Sequence, residues 1–387
     1  MHLAGSPSYN YLITMKRLSF FLVTLLAVLT ADACTSAIVS GCLTANGRPL
    51  LWKNRDTGEQ NNRVERHKAH NGLLEFVALF DARDTRDTAA WMGFNERGFA
   101  IMNTASYNLN KDNVPAKDMD REGVVMRYAL ERCVTVDDFE RLLQQWKKPM
   151  GVEANFGVID AYGNGAYFET GNYSYTRYDL SDEPSGILTR TNYSFSGRAD
   201  EGQGYIRHEN EKHLLEPFIA QKNITPATFT EVLSRTFYHS MRGKDYTYSE
   251  QWVVDQDFIP RAISTASVVI EGVLPGEHPG LTTMWIALGY PPCAEVFACW
   301  TGEGGVPDVL RGTTAQRHSV QCDLVGKREA EVFHNKRGNG KRYIDLSKLY
   351  NSAGTGYCQQ LIPKNMEAYR QGYAQLERRR LALTARR

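Results

Sequence analysis

One cysteine stands at the junction of two sequence patterns in the stretch ADACTSAIVS, residues 31–40. Before it, the small residues of Ala31-Asp32-Ala33 are typical of a site cut by signal peptidase. After it, Thr35 to Ser40 is typical of a short β-strand. Cleavage after Ala33 would give Cys34 both a thiol and a free α-amine. Because that amine can act as general base for the thiol beside it, we expect Cys34 to be a nucleophile.

The residues before this cleavage site carry the other elements of a signal peptide. Lys16-Arg17 is a positively charged segment and Leu18 to Leu29 is an apolar one. We interpret the residues before Met15 as a dispensable extension or as the result of a misplaced start. An apolar run of about twelve residues is too short to span a bilayer, so no membrane span is predicted. We therefore predict that residues 1–33 are removed and that the protein is exported, to the periplasm or out of the cell.

Two other interpretations of Cys34 stay open at this point. A cysteine directly after a signal peptide can be a lipid attachment site, although that motif usually has an aliphatic residue where this chain has Ala31. Cys34 can also be purely structural. Lipidation would acylate the amine that catalysis needs, so the lipoprotein and the enzyme interpretations exclude each other.

The composition is that of an ordinary globular protein, with 42% hydrophobic and 23% charged residues. A net charge of +1 argues against nucleic acid as a partner. Seven cysteines allow three disulfides with Cys34 as the odd thiol, or no disulfide at all. The chain has no phosphate-binding glycine-rich loop, no CxxC and no HExxH, and its scattered histidines lack metal-like partners. We therefore expect neither a metal nor a cofactor.

Strand-like segments alternate with a block of helices along the chain. Asn46-Gly47, between Thr35–Ser40 and Leu50–Trp52, predicts a hairpin that places Cys34 at the start of an edge-accessible strand. Thr135 is a predicted helix N-cap. Other strands are predicted at Phe76–Phe80, Phe99–Met102, Asn155–Ile159, Ala166–Glu169, Ser267–Ile270 and Thr283–Leu288, and helices between Arg121 and Trp146, after Thr225-Pro226 and over Asn365–Arg386. This order predicts one α+β domain of layered antiparallel sheets over residues 34–387, with a polar helical extension from about residue 325.

The charged run Lys53-Asn54-Arg55-Asp56 ends the second strand of the predicted hairpin, which brings it back towards Cys34. We expect Asp56 to hydrogen-bond the α-amine of Cys34 and to fix its position. Lys53 or Arg55 would favour the thiolate. The alternative is a solvated charged turn.

Two asparagines and one arginine are further candidates. Asn103 follows the strand that starts at Phe99, and Asn192 lies in the segment RTNY, residues 190–193; either amide can donate to an oxyanion. Arg261 directly precedes Ala262 and is expected to reach a thiolate or a substrate carboxylate. The alternatives are turn formation for the asparagines and a surface salt bridge for the arginine.

Several segments combine short motifs in an informative order: ACTS (33–36), GRPLLWKNRD (47–56), GFNERGFA (93–100), TRTNY (189–193), YIR (205–207) and TMWIALGYP (283–291). Together they resemble the N-terminal nucleophile (Ntn) hydrolases, and among these the linear amide C–N hydrolases. The closest group is the acyl-coenzyme A:6-aminopenicillanate acyltransferases, with choloylglycine hydrolases and penicillin V acylases further off. The resemblance covers most of the chain from Cys34 to about Trp300.

The resemblance implies an αββα sandwich with two stacked antiparallel sheets and a thioester acyl-enzyme. It implies a small-molecule N-acyl substrate, no cofactor, and a fold whose members often form homo-oligomers. The roles that it implies are a nucleophile at Cys34, an amine partner at Asp56, oxyanion donors at Asn192 and Asn103, a nearby cation at Lys53 or Arg55, and a second cation at Arg261. We therefore expect an exported amidohydrolase or acyltransferase. The alternatives are a cysteine Ntn dipeptidase and a non-catalytic exported lipoprotein or binding module.

The first prediction concerns the mature end of the protein. We expect the exported chain to begin at Cys34 with a free amine, because the cleavage pattern ends at Ala33. Intact mass and N-terminal sequencing of the same sample measure this directly. A diacylglyceryl mass, or a chain that begins at another residue, would contradict the prediction.

Overall fold

Two antiparallel β-sheets form the centre of the fold, and helices cover their outer faces. The computed structural model describes residues 33–109, 112–249, 251–255, 257–312, 315 and 317–384. The predicted signal peptide, apart from Ala33, therefore lies outside the described residues.

The strands, numbered in chain order, are β1 (Thr35–Val39), β2 (Leu50–Asp56), β3 (Asn62–His67), β4 (Phe76–Asp81), β5 (Met92–Asn95), β6 (Ala100–Ala105), β7 (Ala154–Ile159), β8 (Gly165–Thr170), β9 (Tyr175–Asp179), β10 (Ile187–Arg190), β11 (Tyr238–His239), β12 (Lys244–Asp245), β13 (Trp252–Val254), β14 (Ser264–Glu271), β15 (Thr283–Leu288), β16 (Val296–Cys299) and β17 (Tyr343–Asp345). The α-helices are α1 (Glu122–Arg132), α2 (Val136–Gln145), α3 (Tyr205–Gln221), α4 (Val320–Val332) and α5 (Tyr357–Thr384). Short 3₁₀ segments and one π-helix, Thr228–Val232, lie between them.

A six-stranded sheet has the order β10-β1-β2-β14-β15-β16, and all its neighbours are antiparallel. The predicted hairpin is β1–β2, with Thr35 opposite Asn54 and Val39 opposite Leu50. The expectation that β1 is accessible at an edge is wrong, because β10 pairs with its other side. This pairing joins segments about 150 residues apart, which local patterns do not reveal.

A seven-stranded sheet contains β3 to β9 in chain order. Each strand pairs antiparallel with the next, so the sheet is a meander. The long connection between β6 and β7 carries α1 and α2. The two helices that cover this sheet therefore come from the connection between two of its own strands.

Three hydrophobic clusters define the layers. The first lies between the sheets and joins Leu51 of β2 to Leu79 of β4. The second joins the other face of the six-stranded sheet to α3, α4 and α5, and it contains Trp52 and Trp285. The third joins the outer face of the seven-stranded sheet to α1 and α2. The molecule is thus an α+β protein with the αββα order of layers, as predicted.

The N-cap prediction at Thr135 is confirmed. The side chain of Thr135 accepts from the backbone N–H of Asp138, and the Asp138 carboxylate accepts from the backbone N–H of Thr135. This reciprocal pair is a capping box, which satisfies backbone donors at the start of α2.

The C-terminal helix begins earlier than expected, at Tyr357, and one of its faces is buried. Tyr369 packs against the ring of Trp285 with centroids 4.6 Å apart, and Leu376 is buried as well. The polar residues of α5 therefore lie on its outer side. Its inner side packs on the six-stranded sheet and completes the helix layer there.

No disulfide joins any of the seven cysteines, all of which lie within the described part of the chain. Over the part of the chain that the structure describes, no helix is both long enough and apolar enough to cross a bilayer.

The layer of α2 provides a stability prediction. Phe139 is fully buried, and its ring contacts those of Phe156 and Phe168 at 5.5 Å and 5.2 Å. Phe139→Ala removes this packing and leaves a cavity, so we expect the free energy of unfolding to fall by about 3–5 kcal/mol in urea titrations. Tyr162→Ala, at a residue that is 61% exposed, is the control and should change it by less than about 0.5 kcal/mol. Equal effects of the two substitutions would contradict the packing of α2.

Candidate active site

The charged run Lys53-Asn54-Arg55-Asp56 lies inside β2, and none of its residues is more than 2% exposed. Buried polar groups need partners, so the alternative of a solvated turn is excluded. Because side chains alternate along a strand, Lys53 and Arg55 point towards the seven-stranded sheet, while Asn54 and Asp56 point towards the helix layer. The run therefore contributes to both sides of the sheet beside Cys34.

Cys34 directly precedes β1 and is 5% exposed. Its backbone nitrogen donates to Oδ1 of Asn192 at 2.8 Å, and its thiol donates to the backbone carbonyl of Asp56 across 3.9 Å. Its carbonyl oxygen accepts from Nη1 of Arg207 at 2.5 Å. The nitrogen that signal-peptide removal would turn into an amine thus already lies among the predicted site residues.

Asn192 is fully buried beside that nitrogen. Its Oδ1 also accepts from Nη2 of Arg207 at 2.8 Å, and its Nδ2 donates to the carbonyl of Ala105 at 2.9 Å. Two obligatory donors at Oδ1 determine which way the amide points. The structure therefore places the side-chain carbonyl oxygen of Asn192 against Cys34. If Asn192 donates to an oxyanion as predicted, the donor would be its Nδ2.

The Asp56 carboxylate is enclosed by three donors. Oδ1 accepts from Nδ2 of Asn54 at 2.9 Å and from the hydroxyl of Ser264 at 2.6 Å, and Oδ2 accepts from Nε of Arg261 at 3.1 Å. Burial raises the pKa of Asp56, while the charges of Arg261 and Arg207 and these hydrogen bonds act against that rise. The carboxyl group is consequently held in one orientation beside the nucleophile.

Arg261 forms an ion pair with the fully buried Asp56 carboxylate at 3.1 Å, so it is not a surface salt bridge. Burial alone would lower the pKa of Arg261, but the charges of Asp56, Asp255 and Asp257 raise it. Burial also raises the pKa of Asp255 to about 6, against the effect of Arg261. Arg261 therefore contacts Asp56, and its expected contact with a thiolate or a substrate carboxylate stays a prediction.

Lys53 and Arg55 have different surroundings although they share one face of β2. Nζ of Lys53 donates to Oδ1 of Asn103 at 2.9 Å. Arg55 donates to Asn62 and forms an ion pair with Asp81, both at 2.7 Å. The Arg55 charge is thus paired with Asp81, and the assignment of Lys53 or Arg55 as the cation that favours the thiolate stays a prediction.

Three residues of this cluster were not identified as site residues from the sequence: Arg207, Ser264 and Asn54. Arg207 appears in the motif YIR, but nothing in that motif indicates its contact with Cys34. Ser264 and Asn54 lie inside strands, where polar residues in a buried segment are the only available signal. Over the described residues, no group of three His, Cys, Asp or Glu side chains is arranged to hold a metal ion.

The fold and this geometry define a class of protein. An αββα sandwich with a cysteine at the start of a central strand, an aspartate on the neighbouring strand and a buried asparagine beyond it is an amidohydrolase or acyltransferase of the Ntn type. Residues 43–253, more than half of the chain, match the family described as acyl-coenzyme A:6-aminopenicillanic acid acyl-transferase. The chain belongs to this family.

Solved structures with a similar course of the chain all have low sequence identity. An N-acylethanolamine-hydrolyzing acid amidase orthologue from Caenorhabditis elegans is 15% identical, with 63% of this chain and 94% of that chain covered and a TM-score of 0.43. A mutant conjugated bile acid hydrolase from Clostridium perfringens is 11% identical, with 69% and 92% covered and a TM-score of 0.40. Penicillin V acylase from Agrobacterium tumefaciens is 12% identical, with 70% and 87% covered and a TM-score of 0.39. The chain matches no curated protein.

The acid beside Arg261 provides a test of the electrostatics. With a pKa of about 6 against an ordinary 3.8, Asp255 keeps its proton in the fold after the unfolded chain has lost it. As the pH rises from about 4 to about 6, the Asp255 carboxyl group therefore lowers the free energy of unfolding more and more. We expect Asp255→Asn to gain up to about 3 kcal/mol in free energy of unfolding, relative to the parent, between pH 4 and pH 7.

Urea titrations at the two pH values measure this gain. Asp308→Asn is the matched control, because the Asp308 side chain is 99% exposed, and it should show no such gain. The raised pKa of Asp255 would be contradicted if Asp255→Asn differed from the parent by the same free energy of unfolding at both pH values.

Proposed function

We propose that the protein is an exported amidohydrolase or acyltransferase that cleaves a linear amide through a thioester on Cys34. The observation that carries the proposal is the contact of the Cys34 nitrogen with Asn192, together with that of the Cys34 thiol with the backbone carbonyl of Asp56. In the described chain this nitrogen belongs to the Ala33–Cys34 peptide bond. Removal of residues 1–33 would turn it into an α-amine at the same place.

The reaction would run in two steps. The thiol sulfur attacks the amide carbonyl while the α-amine takes the thiol proton, and the developing oxyanion needs donors nearby. The C–N bond then breaks as the α-amine returns this proton to the leaving amine, which leaves a thioester on Cys34. Water or a second amine attacks the thioester, loses a proton to the α-amine and releases the acyl product and the thiol.

The surrounding residues support these steps by their charges and orientation. Asp56 and Asn192 would hold the amine, and Arg207 and Lys53 would favour negative charge at the thiol and at the oxyanion. A small-molecule N-acyl substrate agrees with a nucleophile that is only 5% exposed. No step needs a metal or a cofactor.

Substitution of the nucleophile tests the proposal. We expect Cys34→Ala to lower the rate of amide cleavage at least about a thousandfold, because removal of a covalent nucleophile leaves only binding and oxyanion stabilisation. The parent and the variant are assayed on N-acyl amino acids, penicillin V, conjugated bile acids and dipeptides, with acyl-enzyme trapping followed by intact mass. Cys42→Ser, at the exposed cysteine near the other end of β1, is the control and should keep full activity.

Cleavage by Cys34→Ala at the parent rate would refute the mechanism. Cleavage restricted to substrates with a free α-amine would instead favour a dipeptidase of the same chemistry. A parent that cleaves none of these amides and carries a lipid on Cys34 would favour a binding protein.

A further inference from the structure

Arg207 is a buried cation whose hydrogen bonds go to neutral groups. Besides Cys34 and Asn192, its Nη1 donates to the hydroxyl of Thr35 at 3.0 Å, and the residue is 1% exposed. Its Nε–H is buried without an acceptor. Burial and the charge of Arg261 lower the pKa of Arg207 to about 10, against the attraction of Asp56. A guanidinium in such surroundings requires a counter-charge.

Glu211 lies one turn further along α3 and is fully buried. Neither of its carboxyl oxygens has a hydrogen-bond partner. Burial raises the pKa of Glu211 well above its ordinary value, and the charge of Arg207 acts in the opposite direction. A buried carboxyl group without hydrogen bonds is costly and calls for an explanation.

The two features are complementary. Residues four apart on a helix lie on the same face, so the unpartnered Nε of Arg207 and the two unpartnered oxygens of Glu211 belong to one buried face of α3, although no hydrogen bond joins them. Asp56 and Asp257 also attract Arg207, but neither accepts a hydrogen bond from it, and Asp56 already accepts from Arg261. Glu211 is therefore the carboxyl group available to Arg207 on its own helix.

We infer that Glu211 is a positioning residue that acts through Arg207. Its carboxyl group supplies a counter-charge that favours the guanidinium in its place against the carbonyl of Cys34 and Oδ1 of Asn192. Arg207 in turn orients the nitrogen of Cys34 and attracts a thiolate. The inference rests on the proposed function, because it assigns Glu211 to the activation of Cys34.

Two substitutions separate charge from packing. Glu211→Gln keeps the volume and an acceptor but removes the charge, and Glu211→Leu removes both. The matched control is Glu209→Gln on the same helix, where the side chain is 56% exposed. All variants carry Cys42→Ser, so that the exposed thiol does not react in place of Cys34.

The readouts are the second-order rate of alkylation of Cys34 by iodoacetamide from pH 5 to 9, kcat and KM on the cleaved amide, and the melting temperature. We expect Glu211→Leu to lower the alkylation rate at pH 7 and kcat about tenfold or more, with KM changed less than about twofold. The pH midpoint of alkylation should move upward. Glu211→Gln should have a smaller effect in the same direction, and Glu209→Gln should behave as the parent.

The melting temperature separates positioning from structure. The desolvation cost of the Glu211 carboxyl group and its attraction to Arg207 oppose each other, so we expect Glu211→Gln to melt close to the parent temperature. Parent-like alkylation and kcat in both Glu211 variants would overturn the inference, as would a loss of activity that merely follows a lowered melting temperature. If Glu211→Leu does not fold, the volume-matched Glu211→Gln decides by the same criteria.

Failure of the proposed function has a different signature. A parent that cleaves no amide, with alkylation that still depends on Glu211, would remove the proposed reaction but keep the link from Glu211 to Cys34. A parent that cleaves amides through Cys34 with no dependence on Glu211 would do the reverse.

Discussion

Four consecutive polar residues, Lys53 to Asp56, lie in a buried central strand, and the site follows from the need to pair them. Strand alternation separates them into two sets, each with its own partners. On one side Lys53 meets Asn103 and Arg55 meets Asp81, which ties β2 to the seven-stranded sheet. On the other side the Asp56 carboxylate accepts hydrogen bonds from Arg261 and Ser264. The same run therefore links the two sheets and assembles the polar cluster.

The polar cluster behind Cys34 is assembled from distant parts of the chain. Its cations are Arg207 on α3 and Arg261 before β14, and its acids are Asp56, Asp255 and Glu211. None of these groups has a suitable environment until the helix layer has docked on the six-stranded sheet, because unpaired charges are not tolerated in an apolar interior. The polar cluster is thus complete only when the fold is complete.

The sequence predicted those features that depend on local patterns. The β1–β2 hairpin, the capping box at Thr135 and the layered antiparallel sheets were foreseen, because turn chemistry and periodicity act over a few residues. The interior position of β1 was not, since it depends on pairing with β10. The segment after Thr225-Pro226 was predicted as an ordinary helix but contains a π-helix, where Phe229 stacks on Trp52 at 4.7 Å. Tertiary packing decided both cases.

In the candidate site, too, local motifs predicted some features and tertiary packing decided the others. The candidates around Cys34 came from motifs, and the structure brings Asp56, Asn192 and Arg261 together beside it. What motifs do not contain is the orientation of each group. Only the two donors at Oδ1 of Asn192 reveal that its carbonyl end faces Cys34, and only the ion pair with Asp81 separates Arg55 from Lys53. Arg207 and Glu211 enter through a helix that packs on the sheet, a contact with no signature in sequence.

The charges around the Cys34 nitrogen bear on whether an amine there could act as a base. The guanidinium groups of Arg207 and Arg261 disfavour an ammonium ion by repulsion, while Asp56 favours it. Arg261 is bonded to Asp56 and so reduces the pull of that carboxylate on the amine. A neutral amine would donate one N–H to Oδ1 of Asn192 and keep its lone pair for the thiol proton. The arrangement of two arginines around one aspartate would thus suit a nitrogen that accepts a proton in the proposed reaction and gives it up again.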